Sequence, residues 1–242
     1  MKQGLFTIID NSRIAPDVYR MILEGDTSAV TAPGQFVNIR LDGLFLRRPI
    51  SVCDCVQNKL ALVYKVVGRG TAQMAAMSRG SLDVLTGLGN GYSLEKAGRR
   101  PLLVGGGAGV PPLYMLCRKL VERGAEPRVI LGFNTAAEVF YENEFAALGA
   151  KVTVTTVDGS RGVKGFAADA MAGMDYTYFY TCGPEPMLRA VDRAAVTSGQ
   201  LSFEERMGCG FGACMGCTCR TKYGNKRICR DGPVLEREEI IW

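Results

Sequence analysis

Residues 101–112 read Pro101-Leu102-Leu103-Val104-Gly105-Gly106-Gly107-Ala108-Gly109-Val110-Pro111-Pro112, a short apolar strand that runs straight into a glycine turn. Beyond it, Leu113, Leu116, Cys117, Leu120 and Val121 keep helical spacing on one face of residues 112–123. Strand, glycine turn and amphipathic helix make the first half of a β-α-β unit, whose strands lie parallel. Glycines there let backbone approach a diphosphate closely, and proline near the first helical position pre-sets the turn. The strict G-x-G-x-x-G spacing is absent. The turn is therefore a nucleotide-site candidate on its chemistry, not on that fingerprint.

The same rhythm fills residues 99–200. Strands are expected at 128–133, 151–157 and 177–181, and helices at 138–148 and 185–198. This predicts an α/β domain with a parallel sheet and ligand sites outside the carboxyl ends of its strands. One such end reads Thr181-Cys182-Gly183-Pro184-Glu185-Pro186-Met187. Before residue 99 the pattern is different: short strands at 4–10, 18–23, 35–41, 49–54, 60–66 and 81–85, with one helical stretch at 71–77. Residues 1–98 thus predict a small antiparallel β-barrel. Residues 201–242 form a glycine- and cysteine-rich third zone.

Composition narrows the function. The chain has 242 residues, 47% hydrophobic and 22% charged, as in an ordinary folded protein. No apolar run approaches the roughly 18 residues of a membrane span, and the start lacks a secretory signal, so no membrane association and a cytoplasmic location are expected. A net charge of +5 without a basic stripe argues against nucleic acid as a partner. Histidine is absent, which excludes Ser-His, Cys-His and His-zinc chemistry.

Nine cysteines are present, five of them between Cys209 and Cys229. In a reducing compartment such clustering points to a metal centre. Cys209, Cys214 and Cys217 give C-x4-C-x2-C, with Cys229 further on, the plant-type spacing of a [2Fe–2S] cluster. Each iron takes two thiolates besides the bridging sulfides. Between Arg206 and Arg230 stand six basic residues and no acidic one, which suits an anionic cluster. A structural zinc site would more often pair two C-x2-C units, and only one is present. Cys219 falls outside the register and reads as a surface or packing residue.

In the barrel zone, Leu46-Arg47-Arg48-Pro49-Ile50-Ser51 precedes Val63-Tyr64-Lys65 and then Gly68-Arg69-Gly70-Thr71. An arginine fork and a helix start make an anion site. This order resembles the ferredoxin–NADP reductase superfamily, whose barrel holds FAD. The resemblance places Arg48, Pro49, Ile50 and Ser51 along the flavin, the backbone of Val63, Tyr64 and Lys65 beside its ring, and Gly70 and Thr71 at its diphosphate. Ile50 stands where the superfamily usually has a stacking tyrosine. Gly87-Leu88-Gly89-Asn90-Gly91 resembles the turn that ends that barrel. Gly105, Gly106, Gly107 and Gly109 resemble the superfamily's nicotinamide turn. Cys182, Gly183 and Pro184 resemble its CGP motif, which implies a catalytic Cys182 near the nicotinamide. No Arg or Lys lies between Phe133 and Glu142, so NAD is expected over NADP.

Barrel, nucleotide domain and cluster loop in this order resemble the electron-transfer subunits of type B dihydroorotate dehydrogenase across nearly the whole chain. Glu204-Glu205-Arg206-Met207-Gly208-Cys209 and Cys229-Arg230-Asp231-Gly232-Pro233-Val234 are the most specific matches outside the flavin and nicotinamide motifs. The resemblance implies electron transfer from a separate FMN-containing catalytic subunit, through the cluster and FAD, to NAD+, as dihydroorotate becomes orotate in pyrimidine biosynthesis. It implies a heterotetramer with two of each chain. The alternative is a reductase subunit of another complex, of the sulfide dehydrogenase or ferredoxin:NADP oxidoreductase type. Those relatives tend to have aspartate among the cluster ligands, where this chain has Cys209.

Overall fold

The computed structural model describes all 242 residues. Strands β1 (Lys2–Ala15), β2 (Val18–Glu24), β3 (Phe36–Arg40), β4 (Arg48–Val56), β5 (Lys59–Lys65) and β6 (Ser81–Leu88) close into an antiparallel barrel of order β1-β2-β5-β4-β3-β6. The first strand is twice the expected length because it serves two partners. Lys2–Thr7 pair with β6 and Thr7–Ala15 with β2, across two register shifts. Helix α1 (Arg69–Ala75) plugs the barrel with Met74. Gly68 caps it, and Thr71 lies in its first turn, accepting the Val67 and Gly68 N–H groups at its Oγ1.

The second unit begins at β7 (Leu102–Gly106), followed by α2 (Pro112–Glu122), β8 (Arg128–Phe133), α3 (Glu142–Ala147), β9 (Lys151–Thr156), β10 (Val163–Lys164), β11 (Phe179–Cys182) and α4 (Glu185–Ala194). In α2 the expected face is the buried one: Leu113, Leu116, Cys117 and Leu120 are all within 1% of full burial. Each such side chain contributes about 1.5–3 kcal/mol. The helix expected over 138–148 is broken. Tyr141 takes a left-handed φ of 66°, so a 3-10 turn at Ala136–Glu138 precedes a separate α3.

Two strands join this sheet from beyond the expected helices, β12 (Gly199–Ser202) and, after the hairpin β13 (Thr218–Thr221) and β14 (Gly224–Arg227) and the turn α5 (Ile228–Asp231), β15 (Val234–Glu236). The sheet order is β10-β9-β8-β7-β11-β12-β15, parallel except for the antiparallel β12–β15 pair. From β7 the chain winds outward through β8 and β9, then returns on the other side with β11 and β12. A crevice opens at such a reversal, outside the carboxyl ends of the strands. Here those ends are Gly105 and Cys182, which stand side by side in the β7–β11 register.

One core fills the barrel. A second packs α2 and α3 on one face of the sheet. The third joins the other face to Phe36, Leu85 and Leu88 of the barrel and to Cys217, Ile228 and Cys229. Barrel, sheet and cluster segment therefore share one apolar seam.

Candidate functional site

Each half of the nicotinamide motif packs on the other. A Cβ on Gly109 would run into the Cys182 carbonyl, so only glycine permits this approach. Met187, at the far end of the CGP motif, packs against Gly106. Cys182 is partly buried, and burial pushes its thiol up to about 12, although Ser202 donates to the sulfur. It is a neutral thiol at physiological pH.

On the flavin side, the Arg48 guanidinium lies over Gly70, where a Cβ would collide with it. The predicted arginine and helix start are thus brought together. Arg47 is already engaged: Nη1 meets Asp83 Oδ1 at 2.9 Å and the Asn38 carbonyl at 3.2 Å. Val63 and Tyr64 bury their side chains in different cores, leaving backbone as what they can offer. Ile50 packs against the barrel interior.

The four predicted cluster cysteines form two sulfur pairs. Cys209 and Cys214 exchange N–H···S contacts, each 3.4 Å long, and Ala213 N–H reaches Cys209 at 3.3 Å. Cys229 N–H donates to Cys217 at 3.4 Å, and both of those cysteines are buried. Burial raises Cys209, but backbone donors from Cys214 and Phe211 outweigh it and bring the thiol down to about 6. Two thiolates at each of two positions fit a binuclear cluster. Cys219 lies apart, partly buried against the shared seam. Of the six basic residues, Lys226 pairs with Glu239 and Arg227 with Asp231.

A cleft of about 780 Å³ joins the zones. Arg48 and Pro49 line it from the barrel, Gly183 and Pro184 from the nicotinamide turn, and Met207 and Cys219 from the cluster segment. Ile50, Ser51, Lys65, Gly70, Thr71, Gly105–Gly109, Cys182 and the four cluster cysteines lie outside its wall.

Three polar side chains outside the predicted site residues make connections of their own. Asn38 is 1% exposed and donates from Nδ2 to the Cys209 carbonyl at 3.0 Å, yet its Oδ1 has no partner. Leaving a buried acceptor unmade costs about 1–3 kcal/mol, so a donor is missing there, as a flavin site requires. Asn90 fastens the barrel's last turn to the cluster segment: Nδ2 donates to Val234 O at 2.7 Å and Oδ1 accepts Val234 N–H at 3.1 Å. Asp158, just past β9, is held below the usual carboxylate range by Ser160, whose hydroxyl also accepts the Ala136 N–H. An asparagine inside a strand, as Asn38 is, carries no local signal for such a role. Asp158 follows the third strand of the sheet in chain order, whereas the sequence points to ribose recognition past the second, at Phe133–Glu142.

A closed antiparallel barrel beside a doubly wound sheet defines the ferredoxin reductase class of flavin–nicotinamide oxidoreductases. Solved structures agree. The chain resembles an NADH-dependent reduced ferredoxin-NADP oxidoreductase structure, with TM-score 0.89 and 31% identity over 99% of this chain and 90% of that one. It shares the fold of a Neisseria gonorrhoeae ferredoxin NADP+ reductase, with TM-score 0.69 and 16% identity over 80% of this chain and 90% of that one. Residues 204–241 match the iron-sulfur cluster binding domain of dihydroorotate dehydrogenase B, and residues 103–193 match the oxidoreductase NAD-binding domain. The electron transfer subunit of dihydroorotate dehydrogenase B (NAD(+)) from Shouchella clausii is 44% identical, with 99% of this chain and 98% of that one covered. Its Geobacillus counterpart is 43% identical over 100% and 99%. The chain belongs to the family of dihydroorotate dehydrogenase B electron transfer subunits. As such it is an oxidoreductase subunit with iron–sulfur and NAD-binding domains, and it serves a catalytic partner. No helix is long and apolar enough to cross a membrane.

Proposed function

We propose that this chain, in the cytoplasm, carries electrons from an FMN-containing dihydroorotate dehydrogenase subunit to NAD+, through a [2Fe–2S] cluster and FAD. The cleft supports this reading, because it joins the flavin strand, the nicotinamide turn and the cluster segment in one space. A bound flavin exchanges hydride with nicotinamide and single electrons with an iron–sulfur centre, so it converts between the two.

The chain's own groups bind and orient. Cys209, Cys214, Cys217 and Cys229 would hold the cluster, presented as two sulfur pairs. Arg48 with Gly70 and Thr71 takes the flavin diphosphate. Pro49, Ile50 and Ser51 run along the flavin, and the 63–65 backbone lies beside its ring. Gly105, Gly106, Gly107 and Gly109 make room for the dinucleotide diphosphate, while Cys182, Gly183 and Pro184 set the nicotinamide. The absence of Arg or Lys between Phe133 and Glu142 favours NAD over NADP. Phe211 and Met215, 46% and 56% exposed on the cluster loop, suit burial against the catalytic subunit, two of each chain assembling.

The test is reconstitution. This chain alone should oxidise NADH with an artificial acceptor and leave dihydroorotate untouched. Adding an FMN-containing dihydroorotate dehydrogenase subunit should couple orotate formation to NAD+ reduction. Oxidation of dihydroorotate by the isolated chain, or no coupling in the mixture, overturns the proposal.

A further inference from the structure

Strand β3 presents alternate residues to opposite sides, as a strand must. Val37 and Ile39 fill the barrel, while Phe36 packs into the seam shared with Cys217 and Cys229. Asn38 points the same way as Phe36, since its Nδ2 reaches the Cys209 carbonyl of the cluster loop. The fit is tight: Gly210 has a φ of 76°, and a Cβ there would strike that Nδ2. On the barrel side the Asn38 carbonyl accepts Arg47 Nη1. Backbone and side chain are therefore both held.

The other end of the same amide is not. Asn38 Oδ1 is buried and without a partner. In the β3–β4 register Asn38 stands opposite Pro49, a residue of the flavin strand that lines the cleft. Buried polar atoms are paired in nearly all native structures, so the bare oxygen calls for a donor this chain does not provide. A flavin has such donors, an N–H at the pyrimidine edge of its ring and hydroxyls along its chain.

We propose that Asn38 is a positioning residue shared by the two redox groups, its Nδ2 fixing the cluster loop at Cys209 and its Oδ1 accepting a hydrogen bond from the flavin. The proposal rests on the flavin and cluster assignments above. One planar amide then sets the separation of the two centres. The Cys209–Asn38–flavin sequence of hydrogen bonds also runs directly between them.

Asn38→Leu keeps the shape and removes both bonds. Asn38→Asp keeps the acceptor, replaces the donor and adds a negative charge. Both would be compared with the wild-type holoprotein for iron and flavin content, flavin midpoint potential and visible spectrum, and the separate rates of flavin and cluster reduction after mixing with NADH. Iron and flavin content should be retained, and NADH should still reduce the flavin. Cluster reduction should slow by roughly tenfold or more, as misplacement of reacting groups does. The flavin potential should move in both variants, and to more negative values in Asn38→Asp. A residue that only braced the loop, with water satisfying Oδ1, would leave the flavin potential and spectrum unmoved, and that result overturns the proposal. Asn38→Asp decides the matter should Asn38→Leu fail to fold. Wild-type protein without flavin or iron would overturn the cofactor reading as well. Loaded variants with wild-type flavin properties would overturn the Asn38 role alone.

Discussion

Cys182 lies where the two nicotinamide turns touch, and its thiol is held neutral by burial. In the proposed nicotinamide site it would act by shape and weak polarity, not as a thiolate. Replacing it with alanine should slow NADH reduction of the flavin on the order of tenfold, which is ~1.4 kcal/mol of barrier. Iron content should not change. Because the thiol titrates only near 12, it loses its proton well above neutrality. Stopped-flow profiles of wild type and variant should therefore keep the same shape between about pH 6 and pH 9. A wild-type rate in the variant would reassign Cys182 to packing. Cys214→Ser should do the reverse, abolishing the cluster's EPR signal while NADH still reduces the flavin. A full signal would remove Cys214 from the ligand set. The sequence singles out both residues because they stand in motifs of fixed spacing. The contacts of Asn38 and Asn90 were not legible there: their partners lie 171 and 144 residues away, and although Asn90 stands in the barrel-ending turn motif, that motif does not name its partner.

At the level of elements, the strands and helices with strong periodicity were readable, and four of the five residues expected on the buried face of α2 are buried, Val121 being partly exposed. What failed had tertiary causes. Nothing in a tyrosine signals the left-handed backbone at Tyr141 that splits the expected helix. Strand β15 is three residues long, and it exists because β12 offers an open edge to Val234–Glu236. Asn90 secures that strand's entry from the barrel side, through both of its side-chain groups. Asn90→Ala should destabilise the protein by about 1–3 kcal/mol in urea unfolding, since it leaves partly buried Val234 groups unpaired. The Val234 amide should exchange its hydrogen faster. Unchanged stability and exchange would mean that the β12–β15 pairing alone fixes the segment.

Taken whole, the molecule is built so that its cluster segment is not an appendage. Cys217 and Cys229 are buried in the seam that also holds Phe36 of the barrel and Leu102 and Val104 of the sheet. The cysteine segment, the barrel and the sheet are thereby packed together within the one chain. The central claim is that electrons entering at the nicotinamide turn reach the cluster within this one chain. Its most direct measurement is freeze-quench EPR, with parallel absorbance, on the isolated anaerobic protein mixed with NADH. The flavin should bleach together with the appearance of the signal of a reduced [2Fe–2S] cluster, in the absence of any catalytic subunit. Flavin that bleaches beside a cluster that stays oxidised would contradict it.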